Sequence, residues 1–284
     1  MTTRRLRFLF YPLAASLPVM GMLIAAGTAG ASTTGSPSNS AQAAALARQE
    51  IRHLLVGNHQ LNQSSGHTFA AEGQTDTTSN NWAGYADTGS NFSKVSASWT
   101  EPTASCGLDV VSMAAFWVGI DGDTSSSVEQ DGTMVECYLG TEYQYSWWEM
   151  YPTNSVQTVG STVAAGDAIT ASVTRSGTSY ALSVTDSTHP ANSFSTTQTG
   201  SGDANSSAEW VAEAPSNGAS EYPLTDFGTW RATGAAATEG STSGNISSFT
   251  DTQITMDDLL GETEAEPSAL SGGNSFSVTW KSSL

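Results

Sequence analysis

Short runs of apolar, β-branched and aromatic residues, separated by Gly, Ser, Asn and Asp, make up the chain from about Ser79 onward. Many short strands at this spacing are typical of a β-sandwich or barrel. No run after residue 76 predicts a helix, apart from a turn near 256–260. The runs that predict strands are 95–100, 114–120, 143–151, 168–174, 180–185, 209–213 and 275–280.

Alternation in the runs 115–121 and 143–151 sorts aromatic and acidic side chains onto one face, because successive side chains of a strand point to opposite sides. The opposite faces are apolar and can form the core between two sheets. A face that mixes Trp, Tyr and carboxylates suits a groove that binds a polymer. A solvated outer face is the alternative, although such faces rarely carry this much aromatic surface. The groove faces would carry Ala115, Trp117, Gly119 and Asp121 in the first run, and Tyr143, Tyr145, Trp147, Glu149 and Tyr151 in the second.

The first 31 residues have the pattern of a secretory signal peptide, with a basic start, an apolar stretch and small residues at the exit. A membrane anchor is the alternative, but Pro12 and Pro18 interrupt the apolar stretch. No later stretch is apolar enough to span a bilayer. The sequence therefore predicts a secreted, extracellular protein without a membrane partner.

Residues 32–76 differ in composition from the rest of the chain and predict a propeptide, with a surface linker as the alternative. The segment begins with a Ser/Thr/Gly-rich stretch, continues with helix-forming residues at 41–55, and contains His53, His59 and His67. The mature domain is then 77–284, and its own propeptide is expected as a partner. Protonation of these histidines and of the mature domain's acids would change the attraction between the two parts in acid.

The mature domain is strongly acidic. From Asp76 onward the chain has 4 basic and 25 acidic residues, a net charge of −21. Such a surface repels nucleic acid and anionic membranes. Its carboxylates approach neutrality near pH 2–4, and little latent positive charge then remains. The composition indicates a protein adapted to acid, although a generic acidic exoprotein would share it.

The cysteine and histidine content argues against several common catalytic mechanisms. Cys106 and Cys137 are the two cysteines, which in an exported protein predict one disulfide, with two buried thiols as the alternative. After residue 76 the single histidine is His189, which lies in a turn-like stretch. This position offers little support for an imidazole that acts as the base beside a Ser or Cys nucleophile. Histidine pairs at the spacing of zinc hydrolases and Lys-containing phosphate loops are absent. No cofactor and no metal are expected.

The string Asp87-Thr88-Gly89-Ser90 matches the loop of pepsin-like aspartic peptidases. Those enzymes need two such loops, because two aspartates share one proton. The chain has one copy, so an aspartic site would require a dimer. A hairpin turn is the favoured interpretation, since Asp and Gly suit turns.

Carboxylates, amides and aromatic residues remain, and they occur together in five ordered strings. The strings are S-N-N-W-A-G-Y at 79–85, W-V-G-I-D-G at 117–122, V-E-Q-D-G-T at 128–133, W-W-E-M-Y-P at 147–152 and A-E-W-V-A-E at 208–213. In this order they are similar to the glutamic peptidases, or eqolisins, and the likeness covers residues 78–282. The resemblance implies a concanavalin A-like, lectin- or glucanase-type jelly roll, an all-β sandwich of two antiparallel seven-stranded sheets.

The resemblance implies Gln130 and Glu213 as the catalytic pair. Alternation places Glu209 and Glu213 on one strand face and cannot choose between them, whereas the motif selects Glu213. Glu101 and Ser125 depart from the family pattern, which affects the pocket and the disulfides expected. Family members line the cleft with residues that match Trp82, Trp117, Asp121, Trp147, Glu149 and Tyr151.

The implied function is an acid-acting endopeptidase, a monomer that hydrolyses protein or peptide substrates with an activated water. Glu213 would be the general base, and the amide of Gln130 would stabilise the oxyanion. A carbohydrate-active or carbohydrate-binding sandwich is the alternative, since aromatic grooves also bind glycans, but the Glu-x-Asp-x-Glu string of sandwich glucanases is absent.

Overall fold

A computed structural model describes residues 70–71, 74–108, 111–216 and 220–283, which belong to one compact unit. The predicted signal peptide, and all of the predicted propeptide before residue 70, lie outside the described residues. No helix in the described part has the length and apolarity that crossing a bilayer requires.

The described residues form strands and two short 3₁₀ helices, Pro190–Asn192 and Ile246–Ser248. In chain order, the strands are β1 Ala70–Ala71, β2 Gln74–Ser79, β3 Trp82–Thr88, β4 Phe92–Thr100, β5 Ser112–Ile120, β6 Val128–Tyr138, β7 Thr141–Tyr151, β8 Asn154–Thr162, β9 Ala168–Ser176, β10 Ser179–Asp186, β11 Phe194–Thr199, β12 Ser207–Glu213, β13 Thr229–Glu239, β14 Thr242–Asn245, β15 Thr250–Asp257, β16 Thr263–Pro267 and β17 Phe276–Trp280.

Two sheets pack face to face, and the predicted β-sandwich is confirmed. The larger sheet has the order β8-β7-β6-β5-β12-β3-β15-β2-β1. The smaller sheet has the order β11-β10-β9-β4-β13-β14. The implied count of seven antiparallel strands in each sheet does not hold for the described residues. β2 joins β15 in parallel, and β16 and β17 continue the larger sheet from β15 to β13.

The hydrophobic core lies between the two sheets and is formed by every second residue of the strands. Phe116, Val118 and Ile120 point from β5 toward the smaller sheet and share one buried cluster with Val95 and Val173 of that sheet. Burying each such side chain contributes about 1.5–3 kcal/mol. The apolar face predicted for 115–121 is therefore the inter-sheet core.

Strand β13 belongs to both sheets. Its first four residues pair with β17 in the larger sheet, and from Thr233 onward it pairs with β4 in the smaller one. The register shifts between Thr233 and Ala236, where Gly234 has a φ of 62°. Glycine adopts this left-handed conformation without a steric cost, which lets the strand change sheets.

The hairpin predicted for the Asp87-Thr88-Gly89-Ser90 string is wrong. β3 pairs with β12 and β15 in the larger sheet, whereas β4 pairs with β9 and β13 in the smaller sheet. The string therefore carries the chain from one sheet to the other. Asp87 is buried at the end of β3, on the side of the sheet opposite Trp82.

The predicted disulfide is present. Cys106 and Cys137 are bonded across a sequence separation of 31 residues. The bond ties the segment that follows β4 to the end of β6.

Candidate active site

The larger sheet has a second face, turned away from the smaller sheet, which we call the groove face. Gln130 lies opposite Gly119, and Glu213 lies opposite Ala115, on the two sides of β5. Gly119 and Ala115 are each two residues from Trp117, so the side chains of Gln130, Trp117 and Glu213 share this face. The fold thus brings the two residues of the predicted pair to one side of one sheet.

Glu213 ends β12, the strand between β3 and β5. Its neighbours across the two ladders are Trp82 and Ala115. The indole Nε1 of Trp117 donates a hydrogen bond of 2.7 Å to Glu213 Oε2. Trp82 meets Trp117 edge to face, with ring centroids 4.9 Å apart. The carboxylate is therefore held by a buried donor and set beside two packed indoles.

Gln130 occupies the middle strand of the pairing β5-β6-β7. Its direct neighbour on β7 is Glu149, and Gln130 Nε2 donates to Glu149 Oε2 over 2.7 Å. Gln130 Oε1 is buried and accepts no hydrogen bond from the described part of the chain.

Gly119 lies between Gln130 and Glu209 on the neighbouring strands, two residues from Trp117. A Cβ added there would be 2.8 Å from Trp117 Cζ3 and 3.2 Å from Gln130 Cβ. The six-membered ring of Trp117 and the stem of Gln130 therefore both lean over the bare backbone of Gly119. One indole contacts Glu213 through its N–H and approaches Gln130 with the other end of its ring.

Two other predicted cleft residues lie on β7. Trp147 is buried and donates from Nε1 to the carbonyl oxygen of Thr133 over 3.0 Å. Tyr151 ends β7 opposite Val128 and is partly exposed. With Glu149 they occupy alternate positions on the groove face, as alternation in the run 143–151 predicts.

Asp121 has an environment that alternation did not predict. β5 ends at Ile120, and Asp121 has a φ of 69°, outside the range of a strand. Its carboxylate accepts hydrogen bonds from the main-chain N–H groups of Asn205 and Ser206, at 2.7 and 2.8 Å. The side chain anchors the loop that leads into β12. Its expected contact with substrate stays a prediction.

Glu209 is a groove-face carboxyl to which sequence reasoning gave no role. It lies opposite Gly119, in the same cross-strand row as Gln130, and is fully buried. Burial, followed by repulsion from Asp123 and Asp121, raises the pKa of Glu209 well above its usual value. The spacing of four residues between Glu209 and Glu213 was the available signal.

The comparisons with known proteins agree with this fold and face. The chain belongs to the Peptidase A4 family, which it matches over residues 80–280. It is 29% identical to aspergillopepsin-2 of Aspergillus niger over 225 residues, 71% of this chain and 78% of that protein. Over 130 residues, 44% of this chain and 48% of the relative, it is 37% identical to scytalidopepsin B of Scytalidium lignicola.

Solved structures give the same answer. Scytalido-glutamic peptidase, crystallised with a transition state analog inhibitor, aligns with a TM-score of 0.62 and 26% identity, covering 71% of this chain and 98% of that one. Aspergilloglutamic peptidase from Aspergillus niger aligns with a TM-score of 0.52 and 30% identity, covering 60% and 99%. The predicted membership of the glutamic peptidases is confirmed, and the chain is a hydrolase of the endopeptidase class. The carbohydrate and aspartic alternatives gain no support.

Proposed function

We propose that Glu213 and Gln130 are the catalytic pair of a secreted endopeptidase that works in acid. The observation that carries this proposal is the position of Trp117, which donates to Glu213 at 2.7 Å and packs beside Gln130 above Gly119. The rigid indole of Trp117 therefore fixes the position of the Glu213 carboxylate relative to the Gln130 carboxamide. Such preorganisation is what an activated-water mechanism needs.

Glu213 is the general base in this mechanism. Its ionised carboxylate takes a proton from a water that attacks the scissile carbonyl, and the resulting carboxylic acid protonates the leaving nitrogen. At low pH a carboxylate needs help to stay ionised. The N–H of Trp117 supplies it, because a hydrogen bond to the charged form favours that form.

Gln130 is the oxyanion donor. Its Nε2 carries two protons, and one of them is donated to Glu149. The second is available to the oxygen of the tetrahedral intermediate, which is where negative charge develops. A donor of this kind contributes about 2.7–4 kcal/mol in other hydrolases. A carboxamide does not titrate, so the donor persists across the acid range.

The aromatic residues of the groove face are proposed to hold a protein or peptide substrate in extended form beside the pair. Trp82 and Trp117 line the groove face next to Glu213, and Trp147 and Tyr151 line it along β7. Asp121 would act by positioning the loop before β12. We propose that one protomer is sufficient, because both members of the pair come from the same sheet of one chain.

The decisive experiment compares Glu213→Gln and Gln130→Ala with Glu209→Gln as the matched control. Glu209 lies on the same strand and the same face, four residues away. On casein at acid pH, the first two variants are expected to lose about 10²–10⁴ in kcat/KM. Glu209→Gln should keep an activity within a few-fold of wild type. Wild-type activity in both Glu213→Gln and Gln130→Ala would overturn the assignment.

Secretion and a propeptide are further parts of the proposal. The charge of −21 after residue 75 is opposite to the cationic residues Arg48 and Arg52 in the segment expected to be the propeptide. The boundary expected at residue 76 falls inside β2, which pairs with β15 along Thr252–Met256. Cleavage before Gln74 would keep this edge strand, so we propose processing there. Mass spectrometry of the enzyme from culture medium identifies the mature amino terminus.

A further inference from the structure

Two buried aspartates meet the one histidine of the described region at the base of the β9–β10 hairpin. Asp167 immediately precedes β9, Asp186 is the last residue of β10, and His189 leads into the 3₁₀ helix Pro190–Asn192. His189 Nδ1 lies 2.8 Å from Asp167 Oδ1 and 3.9 Å from Asp186 Oδ2. One ligand atom from each residue falls within 4.8 Å of the other two.

Asp167 Oδ1 is within hydrogen-bond distance of the imidazole, whereas Asp186 Oδ2 accepts a hydrogen bond of 3.2 Å from Asn192 Nδ2 and lies 3.9 Å from His189 Nδ1. The other oxygen of each aspartate is held by the main chain. Asp167 Oδ2 accepts from the main-chain N–H of Ala164 at 2.8 Å. Asp186 Oδ1 accepts from the N–H groups of Thr188 and His189, at 2.9 and 2.7 Å. Main-chain hydrogen bonds that orient the ligand carboxylates are the usual outer shell of a metal site.

The charge of the cluster is unbalanced. The carboxyl groups of Asp167 and Asp186 are almost completely buried, and His189 is the one cationic group that reaches them within the described residues. The imidazole is 58% exposed and carries at most one positive charge. Two buried carboxylates without a matching cation are costly, and a divalent ion would compensate both.

We propose that Asp167, Asp186 and His189 bind a divalent transition-metal ion of the zinc type. Zinc takes one imidazole nitrogen and carboxylate oxygens at about 2.0–2.2 Å, which sets neighbouring ligand atoms about 3.3 Å apart in a tetrahedron. The two separations from His189, 2.8 and 3.9 Å, lie on either side of this value, and no two of the three ligand atoms are more than 4.8 Å apart. The exposed side of His189 leaves the fourth position to water.

The site is structural and separate from the groove face, and it uses none of the residues proposed for catalysis. It would fasten the 3₁₀ helix Pro190–Asn192 to the start of β9. The main-chain carbonyl oxygen of Asp167 also accepts a hydrogen bond of 2.8 Å from the N–H of Glu101. The bound ion would therefore also stabilise the end of β4. No local sequence pattern indicates this cluster, because 22 residues separate Asp167 from His189.

Zinc titration of the full chain tests the proposal. The protein is stripped with a chelator, and Zn²⁺ binding is measured by calorimetry at pH 7, where a neutral imidazole can be a ligand. His189→Ala and Asp167→Asn are each expected to weaken the binding of one ion at least tenfold. Substitution of His53, His59 and His67 by Ala is the matched control, because it removes the other histidines and should leave that ion bound.

Thermal unfolding supplies an independent readout. Zn²⁺ should raise the Tm of the wild type and of the triple-histidine control, and at the same Zn²⁺ concentration it should raise the Tm of His189→Ala less, since only an ion bound to the folded state stabilises it. Wild-type protein that binds no Zn²⁺ below about 1 mM, or His189→Ala that binds like wild type, would overturn the proposal. The cluster would then be a hydrogen-bond network only.

Discussion

Trp117 donates its indole N–H to Glu213 over 2.7 Å, while the far edge of the same ring lies over Gly119 beside the stem of Gln130. Replacing Trp117 by Phe keeps an aromatic ring and removes the donor. Loss of a hydrogen bond to the carboxylate favours its protonated form, so the acid limb of the kcat/KM profile should move to higher pH. The measurement is peptide hydrolysis from pH 2 to pH 6.

Trp99→Phe is the matched control for this substitution. It removes an indole N–H from a different buried acid, Glu101, at 3.0 Å. Glu101 lies away from the groove face, so the acid limb should stay where the wild type has it. An unmoved limb in Trp117→Phe would contradict the role given to its N–H.

We expect that weakening the hydrogen bond between Gln130 and Glu149 lowers kcat. Glu149→Gln replaces the carboxyl partner of this 2.7 Å bond by an amide with one acceptor oxygen instead of two, and Gln130 is then held less firmly. We expect kcat to fall about tenfold, or about 1.4 kcal/mol, with KM changed less than threefold. Glu142→Gln, at the other end of β7, is the control. A change confined to KM would indicate substrate binding instead.

Gly119 allows a close approach that any side chain would block. Gly119→Ala places a Cβ 2.8 Å from the Trp117 ring and 3.2 Å from Gln130 Cβ, so one of these two side chains must move. Because a small misplacement of catalytic groups costs about 10²-fold, activity should fall far more than stability. Gly107→Ala is the control, since its Cβ would meet nothing within 4 Å. Equal kinetics in the two variants would contradict this prediction.

Buried carboxyl groups predict that the fold is most stable in acid. Burial, reinforced by Asp251 and Glu239, raises the pKa of Asp87 to about 9, and burial with repulsion from Asp203 raises that of Glu129 to about 10. Each group is protonated in the folded state and ionises near pH 4 when unfolded. Its stabilising contribution is therefore complete below about pH 4. It declines by about 1.4 kcal/mol per pH unit as the pH rises toward the folded pKa.

Urea unfolding between pH 3 and pH 8 measures this decline. Asp87→Asn cannot ionise, so the free energy of unfolding should fall less steeply with pH than in the wild type, by the slope of one proton. Glu262→Gln, at an exposed turn, should follow the wild type. Parallel curves for Asp87→Asn and the wild type would show that Asp87 is not the group responsible.

The same buried acids explain why the sequence predicted only part of the site. Alternation located β5 and β7 because their core faces are apolar. β6 carries Gln130 yet escaped that prediction, because Glu129 and Asp131 occupy its core face. Burial raises the pKa of Asp131 well above its usual value, so a residue that reads as polar enters the core as a neutral acid.

Other features depend on contacts that no local pattern encodes. Asp121 leaves the strand alternation because its backbone has a positive φ, and its partners, Asn205 and Ser206, lie 84 and 85 residues away. The motif strings predicted which residues share the groove face. They could not give the hydrogen bond between Gln130 and Glu149, which depends on the register of β6 against β7.

The passage of β13 from one sheet to the other has a mechanical consequence. A force that pulls the two layers apart acts along the covalent backbone near Gly234, and not on side-chain contacts alone. Sliding of one layer over the other would strip hydrogen bonds from β17 or from β4. The larger sheet is thus linked to the smaller one by the chain itself, and a proteolytic nick at this crossing would remove that link.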